Sequence, residues 1–282
     1  MTATGFQWLK KDSHFSYLLI APAFCYLVIF YFLPIYSIFL RSILDPRFTL
    51  NNYIKILTIP VYYLVFVNTI KIAGIVGFVC LCLGFPISYF LLRITSKLRG
   101  LFFGIIILPF WTSILVRSYA WLILLQKEGI INKVFMRIGL IDNGMNLVYN
   151  IIGVVLGMSY ILLPYMVLIL YSGMKNMDFR LISVAKTLGA NDFVAFWRVT
   201  LPQSFRTIMM GYIVVFILSF GYFITPALLG GRSEIMVSML IETLMNRSTE
   251  WGLASAISVL LFIVIISAIW FVNRIYNIRR II

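Results

Sequence analysis

The sequence predicts an all-α integral membrane protein with six transmembrane helices. Three observations carry that prediction. Apolar runs of about 20 residues, the length a helix needs to cross the hydrocarbon, recur along almost the whole chain. Of the 282 residues, 62% are hydrophobic and only 11% charged, a balance outside that of soluble domains. Lys and Arg gather in short segments on one side of the predicted spans, as the positive-inside rule requires.

The six spans read as residues 15–40, 63–92, 100–125, 148–171, 208–229 and 253–273. An even number places both termini on one side. With the N-terminus inside, 13 of the 23 Lys and Arg residues fall in cytoplasmic segments, among them Lys10, Lys11, Arg93, Lys97, Arg99, Arg274, Arg279 and Arg280. Both termini are therefore expected in the cytoplasm. The net charge of +14 then reflects basic flanks against anionic lipid and calls for no nucleic acid. The first apolar run is too long for a signal peptide and no small-residue cleavage site follows it, so it reads as an uncleaved helix.

The connecting segments have helical patterns of their own. In "DPRFTLNNYIKIL", Thr49 or Asn51 is placed to cap a short helix whose Phe48, Tyr53, Ile54 and Leu57 lie in the membrane interface. In "KEGIINKVFMRIGLIDNG", Ile130, Ile131, Val134, Phe135 and Ile138 share a face while Lys133 and Arg137 take the wet side. The third external segment, "GGRSEIMVSMLIETLMNRSTEWG", reads as a re-entrant helix or a surface lid. Pro22, Pro34, Pro86, Pro109, Pro164 and Pro226 fall within or near the ends of the spans, as in helices bundled round a pathway. Gly153 and Gly157 form a G-x-x-x-G pair suited to close helix packing. The chain 1–282 reads as a single transmembrane domain, without repeats or linkers.

The absent chemistry narrows the function. One histidine rules out a two-histidine metal site, and no Gly-x-x-x-x-Gly-Lys phosphate loop exists. No cofactor, metal or catalytic group is expected, and no ATP hydrolysis by the chain itself. No Asp or Glu falls in any span, which argues against a proton-coupled carrier. What remains is a channel or scaffold, or a pump driven from elsewhere. Within the spans the charges are Lys71, suited to snorkelling at the outer end of the second, and Arg117, deep in the third. Arg117 is a pathway candidate together with the aromatics Trp111, Tyr119, Trp121, Tyr160, Tyr165, Tyr222 and Phe223.

The segment 172–207 is the most informative. Leu181 to Leu188 form one short amphipathic helix and Gly189 supplies the left-handed residue that ends it. Asn191 or Asp192 caps a second helix, with Phe193, Phe196 and Val199 on one face, and Pro202 marks its exit. Such a pair suits a socket on a soluble partner; lying on the inner leaflet is the alternative.

"LISVAKTLGANDFVAFWRVTLP" resembles the cytoplasmic EAA loop of permease subunits of binding-protein-dependent ABC importers, E-A-A-x-x-x-G-A, five residues, F-x-x-V-x-L-P. Ala185, Gly189, Ala190, Phe196, Val199, Leu201 and Pro202 match in register, while Ser183 stands for the Glu and Val184 for the first Ala. "LPFWTSILVRSYAWLILLQKEGIIN", "ILLPYMVLILYSGM" and "ITPALLGG" resemble the first permease of spermidine/putrescine-type importers. Related permeases carry iron, thiamine or phosphonates, the runner-up cargoes.

The resemblance implies a type I ABC importer permease fold with a core permease region at 63–273 and short cytoplasmic coupling helices. It implies four kinds of partner: a homologous second permease, a cytoplasmic ATPase dimer, an extracytoplasmic solute-binding protein and the lipid of the cell inner membrane. It assigns ATPase coupling to Ser183, Ala185, Lys186, Gly189, Ala190, Asp192, Phe193, Phe196, Val199, Leu201 and Pro202.

Overall fold

A computed structural model describes residues 13–45 and 47–278. Lys10, Lys11, Arg279 and Arg280, which bear on sidedness, lie outside these residues. The described residues form helices joined by turns: α1 (Ser13–Leu44), α2 (Asn51–Thr58), α3 (Pro60–Arg93), α4 (Ser96–Ile107), α5 (Ile114–Leu125), α6 (Ile130–Arg137) and α7 (Ile151–Met174). Then come α8 (Arg180–Thr187), α9 (Asp192–Ala195), α10 (Leu201–Phe220), α11 (Ile224–Leu229), α12 (Val237–Asn246) and α13 (Trp251–Ile278). Among the described residues, five helices are long and apolar enough to cross a membrane, or six if the bent pair at 96–137 counts as one span.

Helices α3, α7 and α10 form the core. Val76 and Cys80 of α3, Met158, Leu162, Met166 and Leu170 of α7, and Val215 of α10 are buried in one cluster. Apolar side chains gain little by leaving lipid for one another, so contact relies on small residues and on hydrogen bonds between helices. Gly84 and Gly211 both face the Met166 side chain, and Gly77 faces the Tyr212 ring, each at a distance a Cβ would not tolerate. Ser88 Oγ donates to the Val167 carbonyl at 3.1 Å. Gly157, of the G-x-x-x-G pair, seats α7 on α11: a Cβ there would lie 2.4 Å from Leu229 and 2.9 Å from Thr225.

A second cluster joins Ile56 of α2, Val65 of α3, Val237 and Leu244 of α12, and Leu253 and Ile257 of α13. The segment 230–252 is thus built round a packed helix: the Val237 N–H donates to Thr69 Oγ1 at 2.9 Å, and Asn68 Nδ2 to the Ser233 carbonyl at 2.6 Å. Helix α1 lies along α13, with Phe39 edge-on to Phe262 and Arg41 over the Trp251 ring. On α2 and α6, Ile54, Leu57, Ile130 and Val134 are exposed, as interfacial helices require. Lys71 is exposed on the outside of α3.

Three expectations need correction. The unbroken span at 100–125 is instead α4, a tight turn over Leu108–Trp111, and α5, with a bend of 99°. Pro109 lacks an N–H, and Thr112 and Ser113 adopt extended backbone between the two pieces. The fifth span breaks between α10 and α11 at Gly221, Tyr222 and Phe223. Pro226 has no N–H to offer the Tyr222 carbonyl one helical turn back, and Ser238 Oγ donates to that carbonyl at 2.6 Å instead.

The third correction concerns Pro202, which does not mark an exit. It lies near the start of α10, and α9 runs into α10 through a single wide turn at Phe196–Thr200, where the Leu201 N–H reaches the Phe196 carbonyl five residues back. That wide turn shifts the ladder by one residue just before the proline, so the helix passes it without stopping.

Candidate functional site

The loop between α7 and α10 is built from local chemistry. Helix α8 ends in a motif that uses every matched small residue: the Gly189 N–H donates to the Lys186 carbonyl and the Ala190 N–H to the Ala185 carbonyl, both at 3.0 Å. This six-to-one and five-to-two pair requires a left-handed residue between them, and Gly189 has φ +89°. Ala185 and Ala190 are half-buried at the two ends of the longer bond, where small apolar residues fit. Asn191 then caps α9, its Oδ1 accepting the Val194 N–H at 2.8 Å.

Lys186 Nζ and Asp192 Oδ1 form an ion pair of 2.5 Å across the turn. The hydrogen bond from the Lys186 ammonium, and then its charge, hold the Asp192 carboxyl below the usual carboxylate range. Both groups are exposed, so the pair links α8 to α9 while adding little stability.

The outer face of this loop is apolar. Leu181, Val184, Leu188, Phe193 and Trp197 are all exposed, Leu188 to 83% and Phe193 to 70%. Phe193 and Trp197 stand one helical turn apart with ring centroids 6.1 Å apart. Phe196 departs from the expected shared face: it turns inward and packs edge-on against Phe85 of α3 at 5.8 Å, joining loop to core. Val199 and Leu201 are half-buried beside it, while Ser183 and Pro202 are exposed. Trp197 and Leu188 were missed by a reading centred on Phe193, Phe196 and Val199. The four-residue spacing of Phe193 and Trp197 was the signal for the first of them.

The pathway candidates divide. Arg117, Tyr165 and Tyr222 come together with Phe110, Thr112, Ile114 and Ile161 around a cavity of about 340 Å³. The bend after α4 brings Phe110 to within 4.8 Å of the Tyr165 ring, and the break before α11 delivers Tyr222. Next to Arg117, Ser118 Oγ lies 3.0 Å from Thr225 Oγ1, which ties α5 to α11. Arg117 is 9% exposed, and its Nε and Nη1 have no hydrogen-bond partner among the described residues. Trp111, 89% exposed, lies outside this cavity, as do the exposed Tyr119 and Tyr160 and the half-buried Phe223. Tyr160 packs with Trp121 at 5.5 Å. Phe110 and Thr112 reach the cavity only through the bend, and Ile161 lines it from α7, one turn before Tyr165.

No group of three or more metal-ligating side chains occurs among the described residues.

Comparison with known proteins places this geometry. The family described as binding-protein-dependent transport system inner membrane component matches residues 80–280. The chain is 31% identical over 280 residues to the spermidine/putrescine transport system permease protein PotB of Salmonella typhimurium, covering 95% of this chain and 97% of that protein. To the PotB of Escherichia coli K12 it is 32% identical over 263 residues, covering 89% and 95%. It is 27% identical to the molybdenum transport system permease protein ModB of Mycobacterium bovis, covering 84% of this chain and 86% of that one. Among solved structures, a bacterial alginate ABC transporter in complex with alginate pentasaccharide-bound periplasmic protein has a chain of similar fold, with TM-score 0.77 and 17% identity over 95% of this chain and 94% of that one.

Proposed function

The chain belongs to the binding-protein-dependent transport system inner membrane component family, and on that footing we propose that it forms one half of the translocation pathway of an ATP-driven polyamine importer. It is a multi-pass inner-membrane permease and not an enzyme; ATP hydrolysis belongs to a separate subunit. The observation that carries the coupling role is the exposed apolar face of the loop, held at a set angle by the left-handed Gly189. A loop that merely lay on lipid would need the apolar face but not the paired caps at Gly189 and Asn191.

In this reading the loop 172–207 and both termini face the cytoplasm, and the core permease region is 63–273. Leu188, Phe193 and Trp197 enter a socket on an ATPase dimer, and Ser183, Ala185, Lys186, Gly189, Ala190, Asp192, Phe196, Val199, Leu201 and Pro202 shape and hold the loop. A homologous permease supplies the other half of the pathway and a solute-binding protein docks outside. Closure of the ATPase dimer moves α8 and α9, and Phe196 transmits that movement to α3 through Phe85. The coupling is as large as the difference between the contacts that the loop makes in the two states.

The polyamine cargo rests on the names of the relatives at 31% and 32% identity. The aromatic rings of Tyr165 and Tyr222 suit a passing cation, each face contributing about 0.5–2 kcal/mol. The test is co-purification of the ATPase subunit with wild type and with Leu188→Asp and Trp197→Asp. Wild type retains the ATPase and both variants lose it while still inserting; equal retention by all three contradicts the docking role.

A further inference from the structure

The arginine at the centre of the α5, α7 and α10–α11 cavity is an unsolved electrostatic problem within this chain. Arg117 is nine-tenths buried, lines a cavity of about 340 Å³, and leaves Nε and Nη1 without an acceptor among the described residues. The described residues offer no acceptor to either nitrogen. None of the nine acidic residues falls in an apolar span, and the ion pair among the described residues joins Lys186 to Asp192 instead.

Among the cavity's lining residues, Phe110, Ile114 and Tyr165 are exposed apolar or aromatic groups. A guanidinium next to such groups is costly to leave to lipid unless it is paired. A cationic cargo worsens the problem. The cavity must be covered by protein that brings negative charge with it.

We propose that the Arg117 cavity receives a carboxylate side chain from the second permease subunit, forming a buried ion pair that joins the two halves of the pathway. This inference rests on the two-permease reading above. Charge complementarity selects the occupant: a guanidinium with unfilled donors binds a carboxylate more strongly than any neutral acceptor. Tyr165 and Tyr222 line the cavity with it, and the adjacent Ser118–Thr225 bond ties α5, which carries the arginine, to α11.

The test uses the full chain alone and the assembled transporter. In the isolated chain, Arg117→Met removes an unpaired buried charge, so its unfolding temperature in detergent should equal or exceed that of wild type. In the assembly, the same substitution strands the partner's carboxylate, and affinity for the second permease should fall on the order of a hundred-fold. Arg117→Glu should abolish assembly, and exchange of one Asp or Glu in the spans of the second permease for Arg should restore it. A lower unfolding temperature for the isolated Arg117→Met chain would show that its own residues hold the arginine and would overturn the proposal. So would wild-type assembly of Arg117→Met, including the case in which only the transport of an anionic cargo is lost. If Arg117→Met disturbs neither partner, while the ATPase still co-purifies with wild type through the loop at 180–200, the importer reading stands and this inference alone fails.

Discussion

Lys186 and Asp192 meet at 2.5 Å across the turn at Gly189, and their ion pair joins the helix before that turn to the helix after it. Reversing either charge alone, in Lys186→Asp or Asp192→Lys, places like charges across the turn and should splay α8 from α9. Retention of the ATPase should fall in both single variants and recover in the double exchange. The check is co-purification at low and at high salt, because screening should narrow the difference between the variants. Equal retention in all three would show that the pair has no influence on the angle.

Gly189 itself has φ +89°, and a Cβ built there meets nothing within 4 Å. The effect of a substitution is therefore one of backbone strain alone, of order 1 kcal/mol or more for a β-branched residue and less for asparagine. Gly189→Val should insert normally but lose ATPase association and transport, with Gly189→Asn intermediate. Transport assays on membranes matched for permease content check this order.

Where α7 crosses α11, the constraint is steric. Gly157→Val drives side-chain atoms into Leu229 and Thr225 and should destabilise the chain by about 1–3 kcal/mol. Leu229→Ala in the same chain makes room and should restore part of the loss. Thermal unfolding in detergent measures both, and a Gly157→Val chain as stable as wild type would contradict the close approach.

Sidedness is testable with single cysteines at exposed positions. Ser96→Cys should react only with a permeant reagent, whereas Asn143→Cys and Ser248→Cys should react with an impermeant one. The reverse pattern would put the loop at 180–200 outside, beyond the reach of any cytoplasmic ATPase.

What was legible in the sequence was local. Gly189 and Asn191 act on backbone groups a few residues away, so their types and spacing announce the turn and the cap before any fold is known. The long apolar helices were legible because lipid imposes their length. Pro202 misled because a proline signals a break only if the ladder is in α register, and the wide turn at Phe196–Thr200 had already shifted it. Phe196 misled because Phe85, more than a hundred residues earlier, draws it inward. The cavity around Arg117 was legible only as a charge in an apolar run. Phe110, Tyr222 and the α7 pair Ile161 and Tyr165 come from three separate elements, and spacing along the chain carries no information on the meeting of those elements.

The central claim, that this permease passes polyamines delivered by a binding protein and driven by ATP, is tested most directly in the complete transporter reconstituted in lipid vesicles. ATP hydrolysis is measured with the binding protein loaded with spermidine, putrescine, ferric iron or a phosphonate. Spermidine- or putrescine-loaded protein should stimulate hydrolysis, and Gly189→Val should abolish the stimulation. Stimulation by the iron- or phosphonate-loaded protein alone would contradict the polyamine assignment, and hydrolysis indifferent to any loaded binding protein would contradict the importer mechanism itself.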